Sequence, residues 1–310
     1  MKNSESKKYS GGKIKRFVAS MPLKILLYMV LIGFSFVFVY PFLYMIVTSF
    51  KSPVDLNDIS VTWLINEFRW ENYITAFRTL NYVPRLGNTV MVVLISVFGH
   101  IISCSFIGYG FARYNFPLKK FWFALLVLGI IIPSESIIVP IYIFFSRLGF
   151  VGSYLPIIVP SFLGFGLRGA LFVFIFRQFF LSLPKALEEA AAIDGAGPIR
   201  TFFSIALPNA RSSSLICLVL GTVWHWNDTF EPAMYIEQQA RMLLPQMLPN
   251  LYSMINENTD VDTLLENSLE IFNDAVVMAA TALVVIPLIV FYLSVQNKFM
   301  LSVERSGITG

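Results

Sequence analysis

Two charged residues lie inside long apolar stretches, where a charge needs a compensating environment. Glu135 falls within Phe121–Ser146, and Arg168 falls within Leu148–Phe176. Charges in such surroundings are costly and usually face a cavity or a partner. One interpretation is that both side chains line a polar pathway and donate or accept hydrogen bonds there. The alternatives are an ion pair, within the chain or at a subunit interface, and an apolar stretch that ends earlier than its composition suggests.

A second polar group combines aromatic and hydrogen-bonding side chains at the end of an apolar stretch. It consists of Trp224, Trp226, Asn227 and Asp228. Tryptophans at such a position are commonly anchors at a membrane–water interface. The alternative is an aromatic face that stacks on a sugar ring while Asn227 and Asp228 bind its hydroxyl groups. The sequence leaves both interpretations open.

Several other patterns resemble motifs for binding nucleotides, metals or redox partners, but their context in the sequence argues against those functions. The segment Gly164–Gly169 matches the dinucleotide-binding spacing of glycines, but it lies in an apolar stretch without a strand before it, so helix packing or a loosened span is the better interpretation. No phosphate-binding loop of the ATPase type occurs. His100 and His225 have no ligands at metal-binding spacing and are interpreted as core or interface residues. Cys104 and Cys217 are interpreted as buried small apolar residues.

Composition identifies the solvent in which these residues must be positioned. Of the 310 residues, 56% are hydrophobic and 14% are charged, against about 25% charged in a soluble domain. The bilayer is therefore the expected environment, and a chain in lipid must be helical. The net charge of +4 is modest, and the basic residues lie near span ends, so no nucleic-acid partner is expected. The predicted fold is all-α with six spans: Ile25–Phe50, Thr89–Ala112, Phe121–Ser146, Leu148–Phe176, Ser212–Asn227 and Ala275–Asn297. Prolines in the third and fourth spans predict kinked helices there: Pro133, Pro140, Pro156 and Pro160.

Orientation follows from the distribution of lysine and arginine between the connecting segments. With the N-terminus in the cytoplasm, sixteen basic residues fall in inside segments and six in outside segments. The positive-inside rule therefore predicts that both termini are cytoplasmic. Residues 1–20 then form a cytoplasmic tail and residues 21–310 the membrane domain. Residues 182–208 form a cytoplasmic loop, and residues 228–274 form a large, acidic extracellular loop.

The cytoplasmic loop is predicted to be a helix, a sharp turn and a second helix. The first helix covers Lys185–Ile193, with Ser182 as its cap and two acidic residues near its N-terminus. Gly195 and Gly197 provide the turn, and Pro198 suits the start of the next helix. A helix with three successive alanines is thin enough to lie close against another surface. A solvated connector would not need such small residues.

The loop resembles the EAA loop of permeases from binding-protein-dependent ABC importers. That pattern is present as Glu189-Ala190-Ala191, Gly195 and, further on, Ile205-Ala206-Leu207-Pro208. Residues 20–310 are similar to the carbohydrate subfamily, specifically to the second six-span permease of maltose-type importers. The segments Arg177–Ala196 and Trp224–Ile236 and the tail Gln296–Gly310 carry this likeness.

The resemblance implies a transport subunit without catalytic residues, which carries sugars, in particular oligosaccharides. It implies four kinds of partner: a second permease, two ATPases that bind ATP and magnesium, an extracellular sugar-binding protein and membrane lipid. No cofactor and no metal are expected in this chain. The ATPase contact is expected from one set of residues: Glu188, Glu189, Ala190, Ala191, Asp194 and Gly195. The residue types, and not the resemblance, suggest a second set for the substrate pathway: Glu135, Arg168, Trp224, Trp226, Asn227 and Asp228. The family pattern fixes no charge at the first two positions.

Three alternatives remain open at this point. The chain could serve an importer for amino acids or metals. An ion-driven secondary transporter is a second alternative, although such proteins usually carry internal repeats and membrane-embedded acids, and here there is no repeat and one acid. An intramembrane enzyme that uses Glu135 with a histidine is the third.

Overall fold

Helices are the only regular structure in the part of the chain that the computed structural model describes, which is residues 5–58, 62–251 and 274–307. This confirms the predicted all-α class for those residues. The helices, numbered in chain order, are α1 Glu5–Ser49, α2 Pro53–Asn57, α3 Glu71–Thr79, α4 Tyr82–Arg113, α5 Lys119–Ile131, α6 Ile138–Arg147, α7 Leu155–Phe162, α8 Gly169–Ser182, α9 Ala186–Ile193, α10 Pro198–Thr201, α11 Leu207–Asn209, α12 Arg211–Asn227, α13 Phe230–Tyr235 and α14 Asp274–Gly307. A π-helical turn, Phe202–Ala206, joins α10 to α11.

Three helical segments are continuous and apolar over a length that can cross a bilayer. They are Lys24–Ser49, Tyr82–Arg113 and Asp274–Ser302. Two pairs of consecutive helices are also apolar and long enough to cross a bilayer when each pair is taken together. They are α8 with α9, bent by 78°, and Pro198–Asn209 with α12, bent by 73°. The described residues therefore provide three spans, or up to five if each bent pair counts as one, judged by length and composition. The predicted extracellular loop, 228–274, falls partly outside the described residues, since 252–273 are not among them.

The third and fourth predicted spans are interrupted, as their prolines indicate, and the interruption is more than a kink because each span divides into two helices. The third breaks between α5 and α6, where Pro133 cannot donate the backbone hydrogen bond that a helix interior needs. The fourth breaks between α7 and α8. There Gly164, Gly166 and Arg168 have φ of 70°, 95° and 61°, which is left-handed backbone that ends a right-handed helix. The glycine pattern Gly164–Gly169 is thus a turn between two helices.

The chain divides into two compact units, and α1, α2 and the loop up to Tyr73 belong to the first. Most apolar side chains of α1 from Ile25 onward are exposed, as expected for a span that faces lipid or another subunit. The loop after α1 is ordered by polar contacts to its backbone. The Asn72 amide donates to the carbonyls of Ser49 and Lys51, and the Asp55 carboxylate accepts bonds from both nitrogens of Asn66.

In the second unit, α4 packs against α7, α8 and α12. Phe172, Phe176 and Phe180 of α8 are fully buried in this core, together with the free thiols of Cys104 and Cys217, which confirms the cysteines as buried apolar residues. His100 and His225 are also buried, with ring centroids 5.4 Å apart. Among the described residues, no group of three or more histidines, cysteines and acids is arranged to hold a metal ion.

Helices α4 and α8 are in close contact at Gly108. A Cβ atom at this position would lie 2.9 Å from the backbone nitrogen of Arg177 and 3.0 Å from the carbonyl of Val173. Both neighbours are backbone atoms, so they cannot turn away as a side chain would. The absence of a side chain at Gly108 is therefore what allows this helix pair to pack.

We expect Gly108→Ala to destabilise the protein by about 1–3 kcal/mol, because overpacking forces the two helices apart. Gly110→Ala is the matched control. It lies on the same helix, a Cβ added there would have nothing within 4 Å, and alanine is the better helix former. The apparent Tm of the purified protein, measured in detergent at a fixed scan rate, checks this. Equal Tm values for the two variants would show that the helices do not depend on this close approach.

Candidate functional site

Helix α9 carries the EAA residues, and its bounds confirm the predicted helix almost residue for residue. It covers Ala186–Ile193, and Glu188 and Glu189 lie in its first turn, where negative charge interacts favourably with the helix dipole. The predicted cap is wrong. Ser182 is the last residue of α8, and its hydroxyl donates to the carbonyl of Phe179 at 2.8 Å. Lys185 flanks α9 instead, without a capping side-chain bond.

The turn after α9 is made by Gly195, as the sequence predicts. Its φ of 79° is left-handed backbone, which glycine adopts without steric cost. The Gly195 amide donates to the carbonyl of Ala192, and the Ala196 amide donates to the carbonyl of Ala191. This pair of bonds satisfies the free carbonyls at a helix C-terminus. Helix α10 then begins at Pro198, so two helices meet at a sharp and well-defined corner.

The residues of α9 divide between a buried face and an exposed face. The side chain of Ala191 is 5% exposed and packs into the chain itself. Glu189, Ala190 and Asp194 are exposed, and Ile193 is 87% exposed. The exposed isoleucine and the small and acidic residues beside it form a surface that another protein can cover. Of the alanines in the EAA pattern, Ala190 therefore lies on this outward face, and Ala191 does not.

Glu188 is paired within the chain. Its Oε1 accepts a hydrogen bond from Nε of Arg113, the last residue of α4, at 2.7 Å. The Arg113 side chain also donates from Nη2 to the carbonyl of Leu183 at 2.6 Å. The arginine side chain is 6% exposed and the glutamate side chain 18%, so this is a nearly buried pair. Sequence reasoning missed Arg113 because it lies 75 residues from its partner.

A cavity of about 560 Å³ in the second unit is lined by residues from α5 to α8 and from α13. Glu135 and Arg168, both predicted for a polar pathway, line it together with Glu231 and Tyr235. Neither Glu135 nor Arg168 takes part in the ion pairs found among the described residues. The Arg168 guanidinium lies 5.7 Å from the ring centroid of Trp224, within range of a cation–π contact. The structure thus brings Glu135, Arg168 and Trp224 into one region, and the Asp228 carboxylate is near enough to Glu135 to interact with it electrostatically.

Three of the predicted pathway residues form hydrogen bonds inside the chain. The indole Nε1 of Trp226 donates to the carbonyl of Val284 at 3.2 Å, and its ring is buried. The amide of Asn227 donates to Val223, one turn earlier on its own helix. An Asp228 carboxylate oxygen accepts bonds from the backbone amides of Phe230 and Glu231, and thereby orders the start of α13.

Glu231 is a cavity residue that reasoning from the sequence did not identify. The signal in the sequence is the Asp-x-x-Glu spacing from Asp228 to Glu231, which indicates that a helix begins here and that Glu231 lies in its first turn. Burial raises the pKa of Glu231 to about 7, and the nearby carboxylates of Asp228 and Glu135 act in the same direction. Burial also raises the pKa of Asp228. The cavity wall therefore holds an acid that is partly protonated near neutral pH.

Known proteins with similar sequences are transport permeases. The arabinooligosaccharide transport permease AraQ of Halalkalibacterium halodurans is 27% identical over 92% of this chain and 98% of its own length. The melibiose, raffinose and stachyose import permease MelC of Bacillus subtilis is 27% identical over 87% of this chain and 91% of its own. Both alignments extend over nearly the whole of each protein, so the likeness is not confined to a single motif.

The fold itself matches a solved transporter. A chain of a bacterial ABC transporter involved in the import of the acidic polysaccharide alginate superposes with a TM-score of 0.76. The match covers 91% of this chain and 98% of that one at 18% sequence identity, which supports a common fold.

The family model for the inner membrane component of binding-protein-dependent transport systems matches residues 104–303. That range contains α9 and the cavity residues, and it is well over half of the chain. The chain therefore belongs to the family of inner membrane components of binding-protein-dependent transport systems.

Proposed function

We propose that this chain is one of two permease subunits of an ATP-driven importer for oligosaccharides, and that α9 is its coupling helix. The observation that carries the proposal is the exposed face of α9, held at a glycine corner in a membrane protein of this family. In this proposal the chain crosses the membrane six times, with broken helices in the third and fourth crossings. Both termini and the coupling helix lie in the cytoplasm, as the basic residues favour.

The coupling helix transmits movement and performs no chemistry. Two cytoplasmic ATPases bind ATP and magnesium, and their closure pulls on the coupling helices of the paired permeases. Glu189, Ala190 and Asp194 form the contact surface, together with Ile193, because their side chains are exposed. The chain itself needs no cofactor and no metal, and its remaining partners are a second permease, an extracellular sugar-binding protein and lipid.

The oligosaccharide cargo is supported by the relatives named for arabinooligosaccharides and for melibiose, raffinose and stachyose. The cavity agrees with this chemistry. Glu135, Glu231 and Arg168 offer acceptors and donors for hydroxyl groups, and Tyr235 offers an aromatic ring. The cavity forms the part of the pathway that this subunit contributes, and it contacts the sugar during passage.

Reconstitution of the four-subunit transporter in vesicles tests the function directly. We expect a neutral oligosaccharide, delivered by its binding protein, to stimulate ATP hydrolysis and to accumulate inside only when ATP is supplied. A panel of arabino- and galacto-oligosaccharides, with an amino acid as the control cargo, identifies the substrate class. Uptake that survives ATP depletion and collapses with an ionophore would contradict the proposal and favour a secondary transporter.

The corner at Gly195 gives a second prediction. Gly195→Val should reduce transport at least tenfold while membrane insertion remains normal, because a β-branched residue is strained at a φ of 79° and the helix corner must open. Nothing lies within 4 Å of the added Cβ, so the effect comes from the backbone alone. Gly195→Asn should retain most activity, since asparagine tolerates this conformation.

Gly197→Val is the matched control, because Gly197 has a φ of −70° and equally open surroundings. Uptake and ATPase co-purification are measured for all three variants. Normal uptake by Gly195→Val would refute the role of this corner in coupling.

The cavity acid Glu231 gives a prediction for the pH dependence of stability. Its folded-state pKa of about 7 lies above the ordinary value of 4.5, so the folded protein keeps a proton that the unfolded chain releases. Stability should therefore fall as pH rises from about 4.5 to 7. The carboxylates of Asp228 and Glu135 and the guanidinium of Arg168 share the surroundings of this group.

Glu231→Gln should remove this component, so its Tm should exceed that of the unmodified protein increasingly between pH 5 and pH 8. Glu237→Gln, at an exposed neighbouring position, serves as the control. Thermal unfolding in detergent at several pH values checks the expectation. Parallel Tm profiles for the unmodified protein and Glu231→Gln would contradict it.

A further inference from the structure

The end of α4 is attached to α9 by a single arginine with two partners. Nε of Arg113 donates to the Glu188 carboxylate of α9, and Nη2 donates to the carbonyl of Leu183, in the short link between α8 and α9. The planar guanidinium directs its donors in fixed directions, so two simultaneous bonds define a position better than one point charge does. Arg113 therefore fixes both the start of α9 and the segment that leads into it.

Burial makes this attachment difficult to release. Only 6% of the Arg113 side chain and 18% of the Glu188 side chain are exposed. Removal of one partner would leave a charge in a nearly closed site without compensation, which is unfavourable. Movement of α9 away from α4 would break both hydrogen bonds of the guanidinium at once. The pair consequently favours one fixed placement of α9.

The two adjacent glutamates of α9 have different surroundings. Successive residues of an α-helix are rotated by about 100°, so Glu188 and Glu189 point in different directions. Glu188 is directed to Arg113, whereas Glu189 is exposed. The carboxylate of Glu188 is thus occupied inside the chain, and Glu189 is the acid that an incoming ATPase can reach.

The opposite end of α4 is also attached to the chain by polar contacts. The hydroxyl of Thr89 accepts a bond from the amide of Leu244 at 2.8 Å, and the amide of Asn88 donates to the carbonyl of Ala240 at 3.1 Å. Helix α4 has 32 residues and is about 48 Å long. One continuous helix thus connects α9 to the segment around Ala240–Leu244.

We propose that Arg113 is the positioning residue of the coupling helix: it holds α9 on α4 through Glu188 and Leu183, so that movement imposed on α9 by the ATPases enters α4. This inference rests on the proposed function of α9. Arg113 does not touch substrate or nucleotide. It acts by keeping the coupling helix from moving independently of the membrane domain.

The test is a double-mutant cycle in the assembled, vesicle-reconstituted transporter. Glu188→Gln keeps the shape of the side chain and removes its charge, and Arg113→Met removes the guanidinium. We expect each variant to reduce sugar transported per ATP hydrolysed at least fivefold. The double variant should be no worse than the worse single variant, because each change removes the same Arg113–Glu188 ion pair. Arg113→Lys keeps the charge, but on a single donor nitrogen, and should therefore lose less than Arg113→Met.

Lys120→Met is the matched control, since it removes an exposed basic charge from the first turn of α5, the next helix after α4. A second measurement reports position directly. Amide hydrogen exchange of Ala186–Ile193 should be at least tenfold faster in Arg113→Met and Glu188→Gln than in Lys120→Met. This readout remains available for Glu188→Gln even where Arg113→Met fails to assemble.

Glu189→Lys distinguishes failure of this inference from failure of the proposed function. Weakened ATPase association in Glu189→Lys, with normal coupling and normal exchange in the Arg113 and Glu188 variants, would overturn the positioning role and leave the coupling helix intact. Additive losses in the double variant would also overturn it. Normal association and transport in all of these variants would refute the coupling role of α9, and the positioning role with it.

Discussion

The rest of the structure depends on the close packing of α4 against α8. The two backbones meet at Gly108, where any side chain would collide with the backbone of α8. Helix α8 leads into α9 through three residues, so the place of α8 determines where α9 begins. Three fully buried phenylalanines of α8 complete this contact. Since the interior is close-packed, such an interface resists gradual deformation and transmits displacement.

The few charges of this chain are used in two different ways. Arg113 and Glu188 satisfy each other at the end of a span and order the chain. Glu135, Glu231 and Arg168 instead line a cavity, where solvent or a polyhydroxylated ligand can satisfy them. This division shows how a chain with only 14% charged residues can contain both a nearly buried ion pair and a cavity with charged walls. The neighbouring glutamates differ in the same way, since Glu188 is paired inside the chain and Glu189 is exposed.

Local signals were sufficient to predict α9 and its corner. A run of helix formers followed by glycine and then proline specifies a helix, a left-handed turn and a new helix from short-range chemistry alone, and Lys185–Ile193 was predicted within one residue. Apolar composition likewise identified α1, α4 and α14 as spans. The prolines of the third and fourth spans, Pro133 among them, indicate an interruption, but hydropathy does not register the left-handed backbone of Arg168 that separates α7 from α8. Arg113 is not identifiable from the sequence because its partner Glu188 lies 75 residues away. Glu231 is not identifiable because its burial in the cavity wall arises only in the folded chain.

The central claim is that the exposed face of α9 meets the ATPase in the assembled transporter. Cysteine cross-linking from position 189 tests it most directly, since Cys104 and Cys217 are buried and do not compete. With Glu189→Cys in the complete complex, a short cross-linker should join the permease to the ATPase, whereas Lys120→Cys should not. Efficient cross-linking from position 120 with none from position 189 would contradict the account.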